Sequence, residues 1–195
     1  MLMKFSDFKL IHPKLSAQKN LSPEKYIITR AHELPFHECF VNKNWKTGGM
    51  ASIAISKTMP SGKFIVGLYM IDIFCLGLKD TLFQFALDSY GYHEFMERTN
   101  AQSEMIQCDL GEAHNLIYGA IDFAAENGFK PQKDFVITKQ ILDENLIDDR
   151  IDDIEFGRNG RPFYFAGPYD NTRQIIETLE KNVGKGNFDV VLPGG

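Results

Sequence analysis

The sequence predicts an α+β fold: a mostly antiparallel sheet built around a central strand near residues 63–76, packed against several helices, with a C-terminal hairpin and helix. Three observations predict it. The first is the run Gly62–Asp80, GKFIVGLYMIDIFCLGLKD, the one long apolar stretch of the chain. From Phe64 to Leu76 it is apolar or glycine except at Asp72, and it is shorter than the roughly 20 residues a helix needs to cross a bilayer. Its β-branched and aromatic residues, apolar on both parities, describe a strand covered on both faces. The second is Met50–Lys57, where Ala51, Ile53 and Ile55 alternate with Ser52, Ala54 and Ser56, followed by the turn residues Met59-Pro60-Ser61-Gly62, so that the two runs form a hairpin. The third is that helical segments are grouped between local hairpins, which disfavours a doubly wound parallel sheet.

In chain order, residues 1–21 mix lysines with isolated apolar residues and form an arm without a period. Ser22-Pro23-Glu24 gives an N-cap, a proline at the first helical position and an early acid, so a helix runs from Pro23 to about Glu33 and Pro35 ends it. Phe36–Val41 forms a first strand with His37, Cys39 and Val41 on one face. A polar loop, Asn42–Gly49, holds the only tryptophan, Trp45. On the central strand, Val66, Leu68, Met70, Asp72 and Phe74 share one face, and Ile65, Tyr69, Ile71, Ile73 and Cys75 the other.

Beyond the central strand, Thr81 with Gln84 reads as a capping box opening a helix with Leu82, Phe83, Ala86, Leu87 and Tyr90 as its stripe. Asp109 with Glu112 opens a second helix along Ala113, Leu116, Ile117, Ala120, Ile121 and Ala124, stopped at Asn127-Gly128. A third, short helix follows Asp134. Asn159-Gly160 between Ile154–Phe156 and Phe163–Phe165 signals a hairpin. A last helix carries Ile175, Ile176, Leu179 and Val183. The tail over 185–195 is irregular, apart from an apolar patch, Phe188–Leu192, able to pair as a strand. With 195 residues and no Pro/Gly/Ser-rich linker, the chain reads as one domain.

A formal charge of −5 argues against broad nucleic-acid affinity, which requires an excess of Lys and Arg. The charge is uneven, because residues 1–57 carry nine Lys/Arg against four Asp/Glu, which leaves a basic face possible on the N-terminal third. Nucleic acid is therefore a permitted but not favoured partner, another protein is the expected one, and no membrane partner is indicated. Three cysteines without a close C-x-x-C pair do not make a disulfide framework, and a reducing cytoplasm is the simplest home. Asp7 interrupts any signal-peptide core. No phosphate-binding loop, dinucleotide fingerprint or nucleophile elbow is present, so no cofactor is expected. His32 and His37 are five apart with Pro35 between them, which excludes the zinc-protease helix.

Four constellations remain. His37, Cys39, Cys75, Cys108 and His114 are a thiol and imidazole set without the spacing of a common zinc motif, so they are expected to be structural and no metal is assigned. Asp72 is a carboxylate inside an apolar strand, costly unless paired, and it opens toward Lys79 and Asp80. The acids of Asp143–Glu155 lack the glycine and the alternation of a calcium loop. Finally, Phe156, Phe163, Tyr164, Phe165 and Tyr169 lie near Arg158, Arg161 and Arg173, the residue types enriched at interfaces.

The leading expectation is thus a macromolecule-binding, protein-interaction module. It binds through the basic N-terminal third or through Arg158, Arg161 and Tyr164, which must then be exposed together. The alternative is a small hydrolase or transferase with catalytic Asp72 or Cys75 and His37 or His114 as base, sited at the C-terminal end of the central strand. It requires a cleft that brings at least two of these groups within hydrogen-bond reach.

Overall fold

Residues 21–142 and 154–192 are described by a computed structural model; the arm at 1–20 and the acids from Asp143 to Asp153, with the calcium reading tied to them, lie outside the described residues. Four strands, β1 (Phe36–Asn42), β2 (Met50–Thr58), β3 (Phe64–Asp72) and β4 (Gly77–Leu87), form an antiparallel meander. A three-residue strand, β5 (Met105–Gln107), returns to pair antiparallel with β1, so the sheet order is β4-β3-β2-β1-β5. The expected hairpin is β2–β3, in register from Met50↔Asp72 to Thr58↔Phe64.

Period two decides which side chains go where. On β3, Ile65, Tyr69 and Ile71 enter one core and Val66, Leu68 and Met70 the other, as the alternation requires. The first core is closed by α4 (Leu110–Glu126) through Ala113, Leu116, Ile117 and Ala120, with Ile27 of α1 (Pro23–Arg30) and Phe135 of α5 (Phe135–Thr138) beside it. The second core is closed by α3 (Ser89–Gln102) through Tyr92 and Phe95. Each fully buried Leu or Ile on these faces contributes about 1.5–3 kcal/mol. The caps read in the sequence are made at Ser22, whose Oγ accepts from Lys25 N at 3.3 Å, and at Asp109, which accepts from Gly111 N at 2.7 Å.

Two glycines are required by close approach. Tyr69 folds back over Gly67, where an added Cβ would sit 2.5 Å from the Tyr69 hydroxyl oxygen, and that hydroxyl donates to the Thr138 carbonyl at 2.8 Å. Gly77 begins β4 at φ +66°, and a Cβ there would lie 2.7 Å from Ala124 Cβ and 2.8 Å from the Ala120 carbonyl oxygen.

The helix expected from Thr81 is absent: the segment is β4. Its capping-box pattern is purely local, whereas the run also has period two, with Thr81, Phe83 and Phe85 on one side and Leu82 and Gln84 on the other. Pairing with β3 supplies a full ladder, and tertiary context overrides the local signal. The helix starts instead at Ser89, where Asp88 caps it by accepting from Gly91 N at 2.8 Å.

Asn159 and Gly160 both take positive φ, 51° and 71°, the geometry of the tight turn that Asn-Gly favours, and it closes on an Arg158↔Arg161 bridge. Ile154–Phe156 is not a strand, however. Instead β6 (Phe163–Phe165) pairs in parallel with β7 (Asp189–Val191) of the tail. With α6 (Thr172–Asn182), these strands enclose a third core of Tyr164, Ala166 and Leu179 around Cys75 and Leu76 of the β3–β4 turn.

Candidate functional site

Asp72 ends β3 with its carboxylate buried. Oδ1 accepts from the backbone N–H of Phe74 at 2.9 Å and of Cys75 at 3.0 Å, which fixes the β3–β4 turn. Burial pushes its pKa up to about 6, opposed by the Lys79 charge and the N–H donors of Phe74, Cys75 and Leu76. Lys79 Nζ donates to both Asp170 oxygens, at 2.9 and 3.0 Å. Asp170 also accepts from the Tyr164 hydroxyl at 3.2 Å and from Gly167 N at 2.9 Å. The corner foreseen at Asp72–Asp80 is therefore a buried polar joint between the sheet and the C-terminal unit.

It does not gather the groups the enzyme reading needs. Burial, then the charge of Asp72, pushes the Cys75 thiol well above its ordinary range, the opposite of what a nucleophile requires. Asp72 meets Cys75 through the backbone N–H rather than the sulfur. The His37 ring lies tilted against that of Phe64, 4.7 Å between centroids, at the start of β3, which is eight residues or about 26 Å along the strand from Asp72. His114 is buried on α4, its ring 6.2 Å from that of Tyr118. It precedes by six residues the Ala120 that packs at Gly77, about 9 Å along the helix.

The arginine–aromatic surface also divides. Tyr164 is 0% exposed, with its hydroxyl on Asp170 and Thr172 and its pKa pushed up to about 12, chiefly by burial. It cannot share a surface with Arg158 and Arg161, because the middle residue of Phe-Tyr-Phe points into the third core. Arg158 lies over the rings of Phe74 and Phe163, 4.6 and 4.2 Å from their centroids. Arg161 is exposed and donates to the Gly186 carbonyl at 3.3 Å.

The β5 edge of the sheet holds an arrangement that the sequence alone did not reveal. A cavity of about 250 Å³ opens at the β5 edge on the α4 side. Val41, Ile106 and Cys108 contribute its sheet wall, and Trp45 of the short helix α2 (Trp45–Gly48) and Glu112 from the first turn of α4 line it as well. Lys43 and Lys46 complete the rim. Lys43 is held by Glu104 at 2.9 Å, and Lys46 lies over the Trp45 ring at 5.1 Å. Asn42 fastens the loop, donating to the Met50 carbonyl at 3.0 Å and accepting from Ser52 N at 2.7 Å. Ile106 is 42% exposed although it sits directly opposite the buried Val41.

Cys39 and Cys108 meet behind this cavity. Continued one residue past Phe40↔Gln107, the β1–β5 register brings them opposite one another; Cys108 N donates to the Cys39 carbonyl at 3.1 Å, and the two sulfurs are 3.2 Å apart. The contact with Cys108, together with burial, holds the Cys39 thiol far above its ordinary range. Of the thiol and imidazole set, these two converge. Among the described residues, no three His, Cys, Asp or Glu side chains form a group able to hold a metal ion. The signal missed in the sequence was Met105–Gln107, too short to stand out as a strand. Nor is any helix among the described residues long and apolar enough to cross a membrane. Compared with known proteins, the chain matches no family model, no curated protein and no solved structure.

Proposed function

We propose that this chain is a protein-binding module that takes an extended segment of a partner along the outer side of β5, with one large apolar side chain of that segment seated beside Trp45. The observation that carries the reading is the cavity at the β5 edge, whose outer side no other strand among the described residues pairs with. Cys108 N and the Glu104 carbonyl both bond toward β1, so strand alternation directs the N–H and C=O of Gln107 outward, where a partner strand can pair. Ile106 supplies exposed apolar surface next to it.

Magnitude favours a partner side chain over a free small molecule. Pockets for drug-sized ligands run to roughly 300–1,000 Å³, and this one is about 250 Å³. Phosphate recognition is disfavoured because Lys43 is already paired with Glu104 and Glu112 adds a negative charge to the lining. Of the basic residues in the N-terminal third, Lys43 and Lys46 contribute to the lining of the cavity. The hydrolase or transferase reading has less support, because the histidines lie away from Asp72 and Cys75.

The test is selection of random decapeptides displayed on phage against the immobilised chain. The wild type is expected to enrich sequences with one large apolar residue beside an acid. Ile106→Asp and Lys46→Glu, both at exposed positions, are expected to lower the affinity of the selected peptides, by about tenfold or more for Ile106→Asp. Absence of a consensus, or winners that bind both variants as well as the wild type, would refute it.

A further inference from the structure

We propose that Cys39 and Cys108 are a reversible dithiol pair that a small-molecule disulfide, such as oxidised glutathione, converts to an intramolecular cross-strand disulfide. Three observations converge on it. The residues stand one step beyond the Phe40↔Gln107 pair of β1 and β5 and are joined by the Cys108 N to Cys39 carbonyl bond, a placement in which facing Cα atoms stand about 5.5 Å apart, inside the range a disulfide spans. The sulfurs already lie 3.2 Å apart, so bonding requires side-chain adjustment and no strand movement. The two thiols also differ in access: Cys108 lines the cavity, whereas Cys39 is fully buried behind it.

That asymmetry orders the chemistry. Cys108 attacks one sulfur of the small disulfide, forming a mixed disulfide and releasing the first small thiol, which keeps the proton Cys108 gives up. Once Cys108 is in the mixed disulfide, the thiol contact that chiefly holds the Cys39 proton is gone, and Cys39 gives up that proton as it attacks the Cys108 sulfur beside it. The protein disulfide forms, the mixed disulfide breaks, and the second small thiol leaves with the Cys39 proton. Two protein thiols are oxidised and one small disulfide is reduced to two thiols. Cys75, enclosed by Leu76, Tyr164 and Leu179 in the turn after β3, takes no part. The pair does not depend on the proposed partner strand, since it rests on the β1–β5 register, the sulfur distance and the access of Cys108 to the cavity.

The experiment treats the native chain with oxidised glutathione, blocks remaining thiols with iodoacetamide, and reads intact mass and non-reduced peptide maps. Alkylatable thiols are expected to fall from three to one, with a Cys39–Cys108 linked peptide, a free Cys75, and full reversal by dithiothreitol. Without oxidant, Cys108 is expected to alkylate about tenfold faster than Cys39 or Cys75. Cys39→Ser is expected to trap a glutathione adduct on Cys108, and Cys108→Ser to give neither adduct nor link. If the wild type keeps three thiols, or accumulates the same lasting adduct as Cys39→Ser, the proposal is overturned. The wild-type map decides the matter even where a variant folds poorly.

Discussion

Replacing Asp72 with Asn should make the protein more stable at neutral pH, and by an amount that depends on pH. The Asp72 carboxyl titrates at about 6 in the folded chain against an ordinary 3.8, because burial outweighs the Lys79 charge and the backbone donors. Between those values the folded chain holds a proton that the unfolded chain has released, so stability falls as pH rises through the window. A difference of ~2 units at ~1.4 kcal/mol each puts the cost of the buried charge at about 3 kcal/mol above pH ~7. An Asn side-chain oxygen can still accept from Phe74 N and Cys75 N, so the turn is kept while the charge is removed. Its amide must find an acceptor or lose part of the gain, about 1 kcal/mol. Urea unfolding of both proteins from about pH 4 to about pH 8 checks this. The two curves are expected to converge near pH ~4 and to separate by about 2–3 kcal/mol in favour of Asp72→Asn near pH ~7.5. A pH-independent difference, or a wild type that gains on the variant as pH rises, would refute the reasoning.

Other perturbations follow from the same contacts. Gly77→Ala combines a left-handed φ with a Cβ 2.7 Å from Ala124, and thermal or urea unfolding should show a loss of about 2–4 kcal/mol. Leu116→Ala opens a cavity where α4 meets the sheet and should cost about 2–5 kcal/mol. Lys79→Met leaves the Asp170 carboxylate, 11% exposed, without its cation, and should cost about 3 kcal/mol, whereas Tyr164→Phe removes one donor and should cost about 1 kcal/mol.

How much of this was legible in the residues depended on how local the determining interaction was. The faces of β2 and β3 follow from strict alternation, and α4 follows from a helical stripe between Asp109 and Asn127-Gly128, so both could be read directly. The Asn159-Gly160 turn was equally legible, because its two positive φ angles belong to those residue types. By contrast, β4 carries a convincing local helix start, and only its pairing with β3 overrules it. The parallel β6–β7 pair joins segments 26 residues apart at Phe163↔Asp189, a contact no short window contains.

The candidate site divides in the same way. Asp72 was recognisable because a lone carboxylate in an apolar strand must find donors, and it does. The partners of Cys39 and Trp45 were not recognisable, since they depend on the three residues of β5 returning to the edge of β1. Tyr164 was misplaced on the surface because the Phe-Tyr-Phe alternation fixes which residues share a side without fixing which side is covered. Its burial follows from α6 and β7 closing over it.

A partner strand added at β5, with a side chain beside Trp45, is read out by amide hydrogen exchange on the chain with and without a selected peptide. The outward N–H of Gln107 is expected to become protected by about tenfold or more, accompanied by a change in the emission of Trp45, the only tryptophan. Protection that appears at β6 and β7 while Gln107 and Trp45 stay unchanged would contradict it.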